Sequence, residues 1–259
     1  MTQHYCKVDP QAIHLLRTAR PSILCVVPRI LEKMHMVIQD TLRKKSAPLQ
    51  ALLRRLVNVA MEVTRLRREG GRPTALQKMQ HALADALVLK RVREVFGGRL
   101  KHCVVGSAAL SNEVHDFFSA AGIFINCGYG LTETTATVSS TPLGCSTPGA
   151  VGRAMEGLEV RLGDESEIQV LGPTVMQGYY RKPEATAEVF TEDGYFRTGD
   201  VGRVDERGYL RITDRLKDLI RTSTGKFVAP QYLEARMASC PLIEQAAVVG
   251  EGLSWLGAL

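Results

Sequence analysis

The sequence predicts a mixed α/β protein in which a parallel sheet and its helices precede a small β-rich subdomain and a shorter α/β segment. Apolar strands at residues 102–105 and 123–126 flank a helical stretch, an order that favours a parallel pair. Short strands alternate with glycine-rich turns between residues 151 and 214. A new strand–helix–strand pattern begins after Arg215.

The chain up to Arg99 is predicted to form one strand and three helices, which prolines and glycines separate. The predicted elements are a strand at residues 22–27, a helix that starts near residue 29, a second helix after Pro48, and a third helix at residues 75–96 that stops at Gly97 and Gly98.

The helical region at about residues 40–99 is strongly basic. Between Arg43 and Arg99 it holds 14 Lys or Arg against 4 Asp or Glu, whereas the whole chain has a net charge of +6. Such a region forms either a solvated helix surface or a contact with an anionic membrane. No base-stacking aromatic residues interleave the charges, so we predict no nucleic-acid partner. The predicted apolar face of the second helix is Leu49, Leu52, Leu53, Leu56, Ala60 and Val63.

The second half of the chain is predicted to contain one further helix and many short strands. A domain boundary is predicted near residues 215–217, which divides the chain into residues 1–214 and 215–259. The predicted elements are a helix from Ser111, strands at 159–162, 168–171, 201–204 and 209–212, and then a strand at 219–221, a helix at 230–239 and a strand at 246–249.

Composition places the protein among globular proteins of a reducing compartment. Of its 259 residues, 45% are hydrophobic and 23% are charged, and no apolar run is long enough to span a bilayer. The N-terminal residues lack the pattern of a signal peptide, and the six cysteines are scattered without a Cys-x-x-Cys pair. We therefore expect a cytoplasmic protein, in solution or at the periphery of a membrane.

A glycine-rich stretch, Gly128-Tyr129-Gly130-Leu131-Thr132-Glu133, follows a strand that is predicted to end at Cys127. Ligands of parallel α/β sheets bind at such carboxyl ends of strands, where glycine lets the backbone approach closely. The ring, the hydroxyl and the carboxylate could stack a base, bond a phosphate and hold a magnesium ion. Taken alone, the stretch is equally consistent with an ordinary polar loop.

Three further stretches are weaker signals. The small residues of Gly106-Ser107-Ala108-Ala109 also follow a strand and leave room for a flat ring. Asp200, directly before the predicted strand at 201–204, would either bind two ribose hydroxyls or cap a turn. Arg215 lies in a run of charges and is a candidate for contacting ribose or phosphate, although such a run is also typical of a solvated linker or hinge.

In this order, the stretches resemble the nucleotide-binding signatures of the adenylate-forming enzymes. The segments Ala19-Arg20-Pro21-Ser22 and Val27-Pro28-Arg29, with Val228-Ala229-Pro230 near the other end, are similar to the long-chain fatty-acid–CoA ligase branch. The resemblance implies that residues 1–214 are the C-terminal part of a large AMP-binding domain. Residues 215–259 would then be the hinge and the start of an incomplete, mobile α+β C-terminal domain.

The resemblance also implies a role for each motif residue, with Thr132 and Glu133 as the catalytic pair. For the nucleotide, Gly106, Ser107, Ala108 and Ala109 would line the adenine pocket, Tyr129 between Gly128 and Gly130 would stack on the base, and Asp200 and Arg215 would bind the ribose. For the rest of the reaction, Thr132 would contact phosphate, Glu133 would hold Mg2+, Lys217 would be the hinge, and Gly225 would lie near the pantetheine channel of CoA. Ser107 and Ala109 depart from the family's usual Gly-Gly-Ala-Pro.

The implied activity is that of an AMP-forming long-chain fatty-acid–CoA ligase with fatty acid, ATP and CoA as substrates. The family's phosphate loop and its C-terminal catalytic lysine have no counterpart in residues 1–259, so we expect a fragment that is inactive in isolation. The alternatives are a non-catalytic module that binds AMP or acyl-adenylate, and an adenylate-forming ligase for an aryl or amino acid.

Overall fold

The predicted α/β fold class is confirmed in a computed structural model of the chain, which describes residues 12–238, 240, 243 and 245–259. The chain divides into two compact units. One comprises the chain up to Gly128 together with Thr141–Gly149, and the other comprises Tyr129–Ser140 and Ala150–Leu259. The predicted boundary at residues 215–217 falls within the second unit and stays a prediction.

The first unit consists of helices that share one core with three parallel strands. Strand β2 pairs with β1 on one side and with β3 on the other, so the predicted strand–helix–strand unit is confirmed. The helices are α1 (Ala12–Ala19), α2 (Pro28–Arg43), α3 (Ala47–Arg68), α4 (Ala75–Ala84), a π-helical turn (Asp85–Leu89), α5 (Lys90–Val95) and α6 (Asn112–Ala120), and the strands are β1 (Ile23–Val26), β2 (His102–Val105) and β3 (Phe124–Tyr129).

Capping side chains explain where several of these helices begin. The Thr74 hydroxyl accepts a hydrogen bond from the backbone N–H of Gln77, and the Gln77 side chain accepts one from the N–H of Thr74, which forms a capping box at α4. The Ser111 hydroxyl caps α6 with a single bond, which it accepts from the N–H of Val114. Pro28 occupies the first turn of α2, where its missing N–H costs no hydrogen bond.

The predicted third helix is not a continuous α-helix, because a π-helical turn separates α4 from α5. Val88 and Leu89, which lie in this turn, are both buried in the core. Asp85 accepts two hydrogen bonds from the guanidinium of Arg93, at 2.6 and 2.9 Å, across this segment. These bonds lower the pKa of Asp85, because they stabilise its ionised form.

The predicted apolar face of α3 is partly wrong. Leu53, Leu56, Ala60 and Val63 are buried as predicted, but Leu49 and Leu52 are 41% and 47% exposed, and the buried set includes Val57 instead. The two exposed leucines lie in the first two turns of the helix.

The second unit is built on a four-stranded antiparallel sheet with the order β6-β7-β8-β9. Its core contains Val138, Ile168, Val170 and Leu210. The helices are α7 (Pro183–Glu188) and α8 (Pro230–Ala238), and the strands are β4 (Ser139–Ser140), β5 (Arg153–Ala154), β6 (Glu159–Leu162), β7 (Glu167–Leu171), β8 (Phe196–Val204), β9 (Leu210–Arg215), β10 (Ile220–Arg221), β11 (Phe227–Val228), β12 (Val248–Val249) and β13 (Gly257–Ala258).

Sequence-predicted boundaries in this unit agree closely for β6 and differ for β8, which begins five residues before the predicted strand. The predicted end of the helix at Ser239 lies outside the described residues. Across the described ranges, no helix combines the length and the apolar character that crossing a bilayer requires.

Candidate functional site

Three of the predicted nucleotide-binding residues meet within the second unit. The hydroxyl of Tyr129 donates a hydrogen bond to Oδ2 of Asp200 at 2.7 Å. Nε of Arg215 lies 3.1 Å from Oδ1 of the same carboxylate, and Asp200 and Arg215 are direct partners in the β8–β9 ladder. A residue at the end of β3 and residues on two further strands therefore converge on one carboxylate.

Burial differs sharply between the members of this cluster. The side chain of Asp200 is 6% exposed, whereas that of Arg215 is 61% exposed. Burial, followed by the contact with Asp200, raises the pKa of Tyr129 well above its usual value. The phenol therefore stays protonated and acts as a donor to the carboxylate across the physiological pH range.

Backbone geometry around Asp200 corrects the prediction that this residue precedes a strand. Asp200 lies inside β8, where Phe196, Thr198 and Asp200 alternate on the buried side of the strand. Gly199 between them has φ of +68°, and the ladder with β9 shifts its register after Val201. An inward carboxylate and a left-handed glycine interrupt the apolar pattern, and for that reason the sequence placed the start of the strand too late.

Thr198 is a positioning residue that the sequence analysis missed. Its hydroxyl donates to the backbone oxygen of Ile168 at 2.7 Å and accepts from the backbone N–H of Asp200 at 3.1 Å. Both residues are buried, so these bonds fix the backbone at the point from which the Asp200 carboxylate extends. The signal was present in the sequence as a hydroxyl two residues before the carboxylate.

The loop after β3 carries Thr132 and Glu133. The strand continues through Gly128 to Tyr129, so the prediction that it ends at Cys127 is wrong, and the turn begins at Gly130. A Cβ on Gly130 would collide with the carbonyl group of Ala136, which explains why this position needs glycine. The pairing with β2 ends at Cys127, and beyond it the backbone oxygen of Tyr129 accepts a hydrogen bond from the N–H of Val138 at 2.8 Å.

Glu133 is half-buried in a short 3₁₀ turn, Thr132–Thr134, and Thr132 is exposed. The hydroxyl of Tyr179 donates to Oε1 of Glu133 at 3.0 Å, and burial together with this bond raises the pKa of Tyr179. The backbone N–H of Met176 donates to the carbonyl oxygen of Glu133 at 2.7 Å. Tyr179 is thus a second positioning residue that the sequence analysis missed.

Two residues with left-handed backbone follow this turn. Thr135 has φ of +51° and Ala136 has φ of +78°, a conformation that costs non-glycine residues energy. The Thr135 hydroxyl donates to the carbonyl oxygen of Thr174 at 2.7 Å, which holds the loop against the segment that carries Tyr179. Backbone strain of this kind concentrates at ligand-binding loops.

The predicted adenine segment belongs to the first unit. Val105 of β2 pairs with Cys127 of β3, so Gly106 and Gly128 both follow this last pair of the parallel ladder. A Cβ on Gly106 would meet only the carbonyl oxygen of Gly128, at 4.0 Å. Ser107 has φ of +72°, a left-handed conformation that glycine adopts without strain. Ala108 and Ala109 are exposed.

The two remaining predicted residues lie in turns of the second unit. Lys217 is exposed in the 3₁₀ turn Leu216–Asp218, directly after β9. Gly225 has φ of +79° in the turn between β10 and β11, where a Cβ would meet open space. Asp214, just before Arg215, is buried, and burial raises its pKa.

Sequence comparison establishes the family. A sequence profile of AMP-binding enzymes matches residues 1–180, which include the Tyr129–Glu133 loop. The chain belongs to the AMP-binding enzyme family. The predicted resemblance to adenylate-forming enzymes is confirmed.

Relatives of this AMP-binding chain include bacterial fatty-acid–CoA ligases. It is 37% identical over 245 residues to the long-chain-fatty-acid–CoA ligase FadD15 of Mycobacterium bovis, an alignment that covers 95% of the chain and 40% of the ligase. It is 33% identical over 255 residues to the putative fatty-acid–CoA ligase fadD11 of Mycobacterium tuberculosis, covering 94% of the chain and 43% of that protein. The chain thus spans about 40% of the length of these curated relatives.

Solved structures of the same family superpose on nearly the whole chain. ATP-bound MatB from Rhodopseudomonas palustris has a TM-score of 0.63 at 28% identity, and the match covers 97% of this chain and 42% of MatB. The A domain of a carboxylic acid reductase from Segniliparus rugosus, in complex with AMP, has a TM-score of 0.64 at 27% identity. That match covers 96% of this chain and 36% of the reductase chain.

Proposed function

We propose that this chain carries the ribose- and magnesium-binding elements of an AMP-forming long-chain fatty-acid–CoA ligase. The observation that carries the proposal is the buried Asp200 carboxylate, to which Tyr129 and Arg215 converge within one compact unit. The relatives named as fatty-acid–CoA ligases favour a fatty acid over an aryl or amino acid as the substrate.

The proposed reaction has two steps. A carboxylate oxygen of the fatty acid attacks the α-phosphorus of ATP, and pyrophosphate leaves. The thiol of CoA then loses its proton, and the sulfur attacks the acyl carbon of the acyl-adenylate, so that AMP leaves and a thioester forms. Both steps gather negative charge on phosphate, and a site for them must place donors and cations around it.

Asp200 would bind the ribose through its two carboxylate oxygens, which accept hydrogen bonds from the 2′ and 3′ hydroxyls. Tyr129 would hold the carboxylate in place and present its ring to the base. Arg215, exposed at the edge of the cluster, is free to turn its guanidinium towards ribose or phosphate while its backbone stays fixed in the ladder.

The residues present fit a magnesium ion that is shared with a nucleotide. Among the described residues, no group of three or more His, Cys, Asp or Glu side chains is arranged to hold a metal by itself. Magnesium, however, is commonly bound through one or two carboxylates, with phosphate oxygens and waters as its other ligands. Glu133 would supply that carboxylate, Thr132 would bond phosphate, and the bound ion would neutralise charge on the phosphates.

The other motif residues keep their predicted roles within the proposal. Residues 106–109 would line the adenine pocket, Lys217 would be the hinge, and Gly225 would lie near the pantetheine channel of CoA. Peripheral contact with an anionic membrane, where a long-chain fatty acid is available, is a further part of the proposal.

Calorimetric titration of the 259-residue chain with AMP, and with a non-hydrolysable acyl-adenylate analogue, tests the ribose site. Asp200→Asn keeps the size of the side chain and an acceptor for Tyr129, but it loses the charge and one ribose acceptor. Since a hydrogen bond to a charged group is worth about 1.5–3 kcal/mol, we expect about 10- to 100-fold weaker binding.

Asp205→Asn is the matched control. Asp205 follows β8 and forms an ion pair with Arg211 of β9 at 3.0 Å, so the variant removes a charge from the same hairpin without touching the proposed site. Binding by the wild type that is weakened only by Asp200→Asn supports the proposal. Equal affinities of the wild type and Asp200→Asn, or no binding by a folded wild-type chain, contradict it.

Catalysis is tested separately from binding. Acyl-CoA formation from a long-chain fatty acid by the protein that contains this chain would support the ligase. AMP binding without pyrophosphate release or thioester formation would favour the non-catalytic module instead.

A further inference from the structure

We infer that the outer side of α4 and the following π-helical turn is the surface that docks on an anionic lipid bilayer. The inference rests on the proposed membrane contact and not on catalysis. We call Leu76, Met79, Leu83 and Leu87 the apolar stripe. They are 59%, 64%, 46% and 39% exposed, respectively.

Spacing places the members of the apolar stripe on one side of the helix. They are separated by three, four and four residues, the repeat of a helix with about 3.6 residues per turn. From Leu76 to Leu87 the stripe extends for about 17 Å along the helix. The capping box at Thr74 fixes where this helix begins, so the stripe has a defined start.

The stripe is not the side of the helix that forms the core. Ala84, Val88, Leu89 and Val92 are buried in the first unit and anchor the helical segment from within. A helix that is apolar on its inner and its outer side needs a second apolar environment. Helix packing within the first unit therefore leaves the apolar stripe uncovered.

The exposed basic side chains of this helical segment indicate that the partner of the apolar stripe is anionic. Arg72, directly before α4, and Lys78, Lys90 and Arg91, on α4 and α5, are exposed, and no ion pair joins them to an acidic side chain in the part of the chain that the structure describes. Residues 70–84 contain no Asp or Glu, and Asp85 is already bound to Arg93. Leucine and methionine flanked by unpaired cations are typical of helices that lie in the interface of an anionic bilayer.

The neighbouring helix adds to the same positive field. Helix α3 packs against α4 and exposes Arg54, Arg55, Arg65 and Arg67. A second copy of this chain would bring the same cations face to face, which disfavours a symmetric dimer through this surface. A surface of phosphatidylserine or a similar lipid instead supplies the opposite charge and the apolar layer together.

Flotation of the purified chain with vesicles tests this surface, without ATP, CoA or fatty acid. Vesicles of phosphatidylcholine alone are compared with vesicles that also contain phosphatidylserine. We expect the wild type to bind the anionic vesicles and to lose binding as salt rises, because salt screens the attraction. The double variant Leu76→Gln/Met79→Gln should lower the partition coefficient at least tenfold.

Two further variants distinguish the contributions of apolar contact, of charge and of nonspecific adsorption to vesicle binding. Lys78→Gln/Arg91→Gln should weaken binding and flatten its salt dependence. Met36→Gln/Val37→Gln is the matched control, because it removes two similarly exposed apolar side chains, 59% and 51%, from α2 of the same unit. This control should bind as the wild type does, and circular dichroism should show equal helix content in all variants.

Several outcomes would overturn the inference. These are no binding of the wild type to anionic vesicles, wild-type binding by the stripe variant, and an equal loss in the α2 control. A wild-type dimer that the stripe variant abolishes, in the absence of vesicle binding, would assign the surface to a second copy. Because the assay contains no nucleotide, its failure leaves the AMP titration of the ribose site untouched.

Discussion

Tyr129→Phe isolates the hydrogen bond that holds the carboxylate at the centre of the proposed ribose site. The substitution keeps the ring and removes only the hydroxyl, which donates to Asp200 at 2.7 Å. Asp200 is buried and would keep Arg215 as a partner, but the Arg215 side chain is mostly exposed. Removing a hydrogen bond to a buried charged group costs about 1.5–3 kcal/mol, so we expect the free energy of unfolding to fall by about 2 kcal/mol.

A matched substitution in the same unit removes a bond of equal length at the surface. The Tyr195 hydroxyl donates to Oε2 of Glu159, also at 2.7 Å, but both groups are accessible to water, which replaces the lost donor. Tyr195→Phe should therefore leave stability almost unchanged. Urea unfolding followed by circular dichroism and by the fluorescence of Trp255, the single tryptophan, which also lies in the second unit, measures both variants.

The stability difference between the wild type and Tyr129→Phe should depend on pH in a direction that the pKa of Tyr129 determines. Because the folded-state pKa of Tyr129 is raised above 10.0, the contribution of the protonated phenol is fully present below about pH 10. It is lost as the pH rises through the folded-state pKa, since the unfolded chain ionises first. A Tyr129→Phe variant as stable as the wild type at neutral pH, or equal losses in both Tyr variants, would refute the reasoning.

Three further predictions concern the glycine-rich segments and the buried thiols. Gly130→Ala should disrupt the loop and weaken AMP binding at least tenfold in calorimetry, because its Cβ collides with backbone, whereas Gly106→Ala, whose Cβ meets nothing closer than 4.0 Å, should keep the fold. Ser107→Gly should relieve a left-handed backbone and raise the free energy of unfolding by about 1 kcal/mol at most in urea titrations; a loss of stability would contradict this. Burial raises the pKa of Cys103 to about 12 and of Cys127 to about 11, so a maleimide at neutral pH should label the exposed cysteines first in peptide mapping, and the stability that these thiols contribute below pH 9.0 should be lost as the pH rises through those values.

The fold was predictable where the apolar periodicity agrees with the prolines, glycines and capping residues that bound helices and strands. Strands β2 and β6 were predicted with their observed bounds, and helices α2, α3 and α6 begin within two residues of the predicted positions. The π-helical turn was missed because apolar spacing does not distinguish it from a regular α-helix, in which two consecutive residues such as Leu56 and Val57 can also be buried. Exposure of Leu49 and Leu52 was missed because spacing gives a face but not the length over which a neighbour covers it.

The candidate site was predictable where a motif is continuous in sequence. Tyr129, Glu133 and Asp200 were found because each stands in a glycine-rich stretch of recognisable composition. Tyr179 was missed because its partner lies 46 residues away, and no local pattern links the two. Contacts of this kind depend on which loops are adjacent in the tertiary structure, and the spacing of apolar residues in the sequence does not reveal that.

Because the proposed ribose cluster forms within one compact unit, a failure to bind nucleotide tests the proposed role of Asp200 directly. Tyr129, Asp200 and Arg215 belong to one compact unit, and the β8–β9 ladder and the Thr198 bonds fix Asp200 independently of the first unit. If this unit folds, the carboxylate is in place whether or not residues 106–109 complete an adenine pocket. A folded chain that binds neither AMP nor the acyl-adenylate analogue would therefore count against the assignment of Asp200 to ribose, and not merely against assembly of the pocket. Binding that Asp200→Asn weakens and Asp205→Asn spares would place the ribose at this carboxylate.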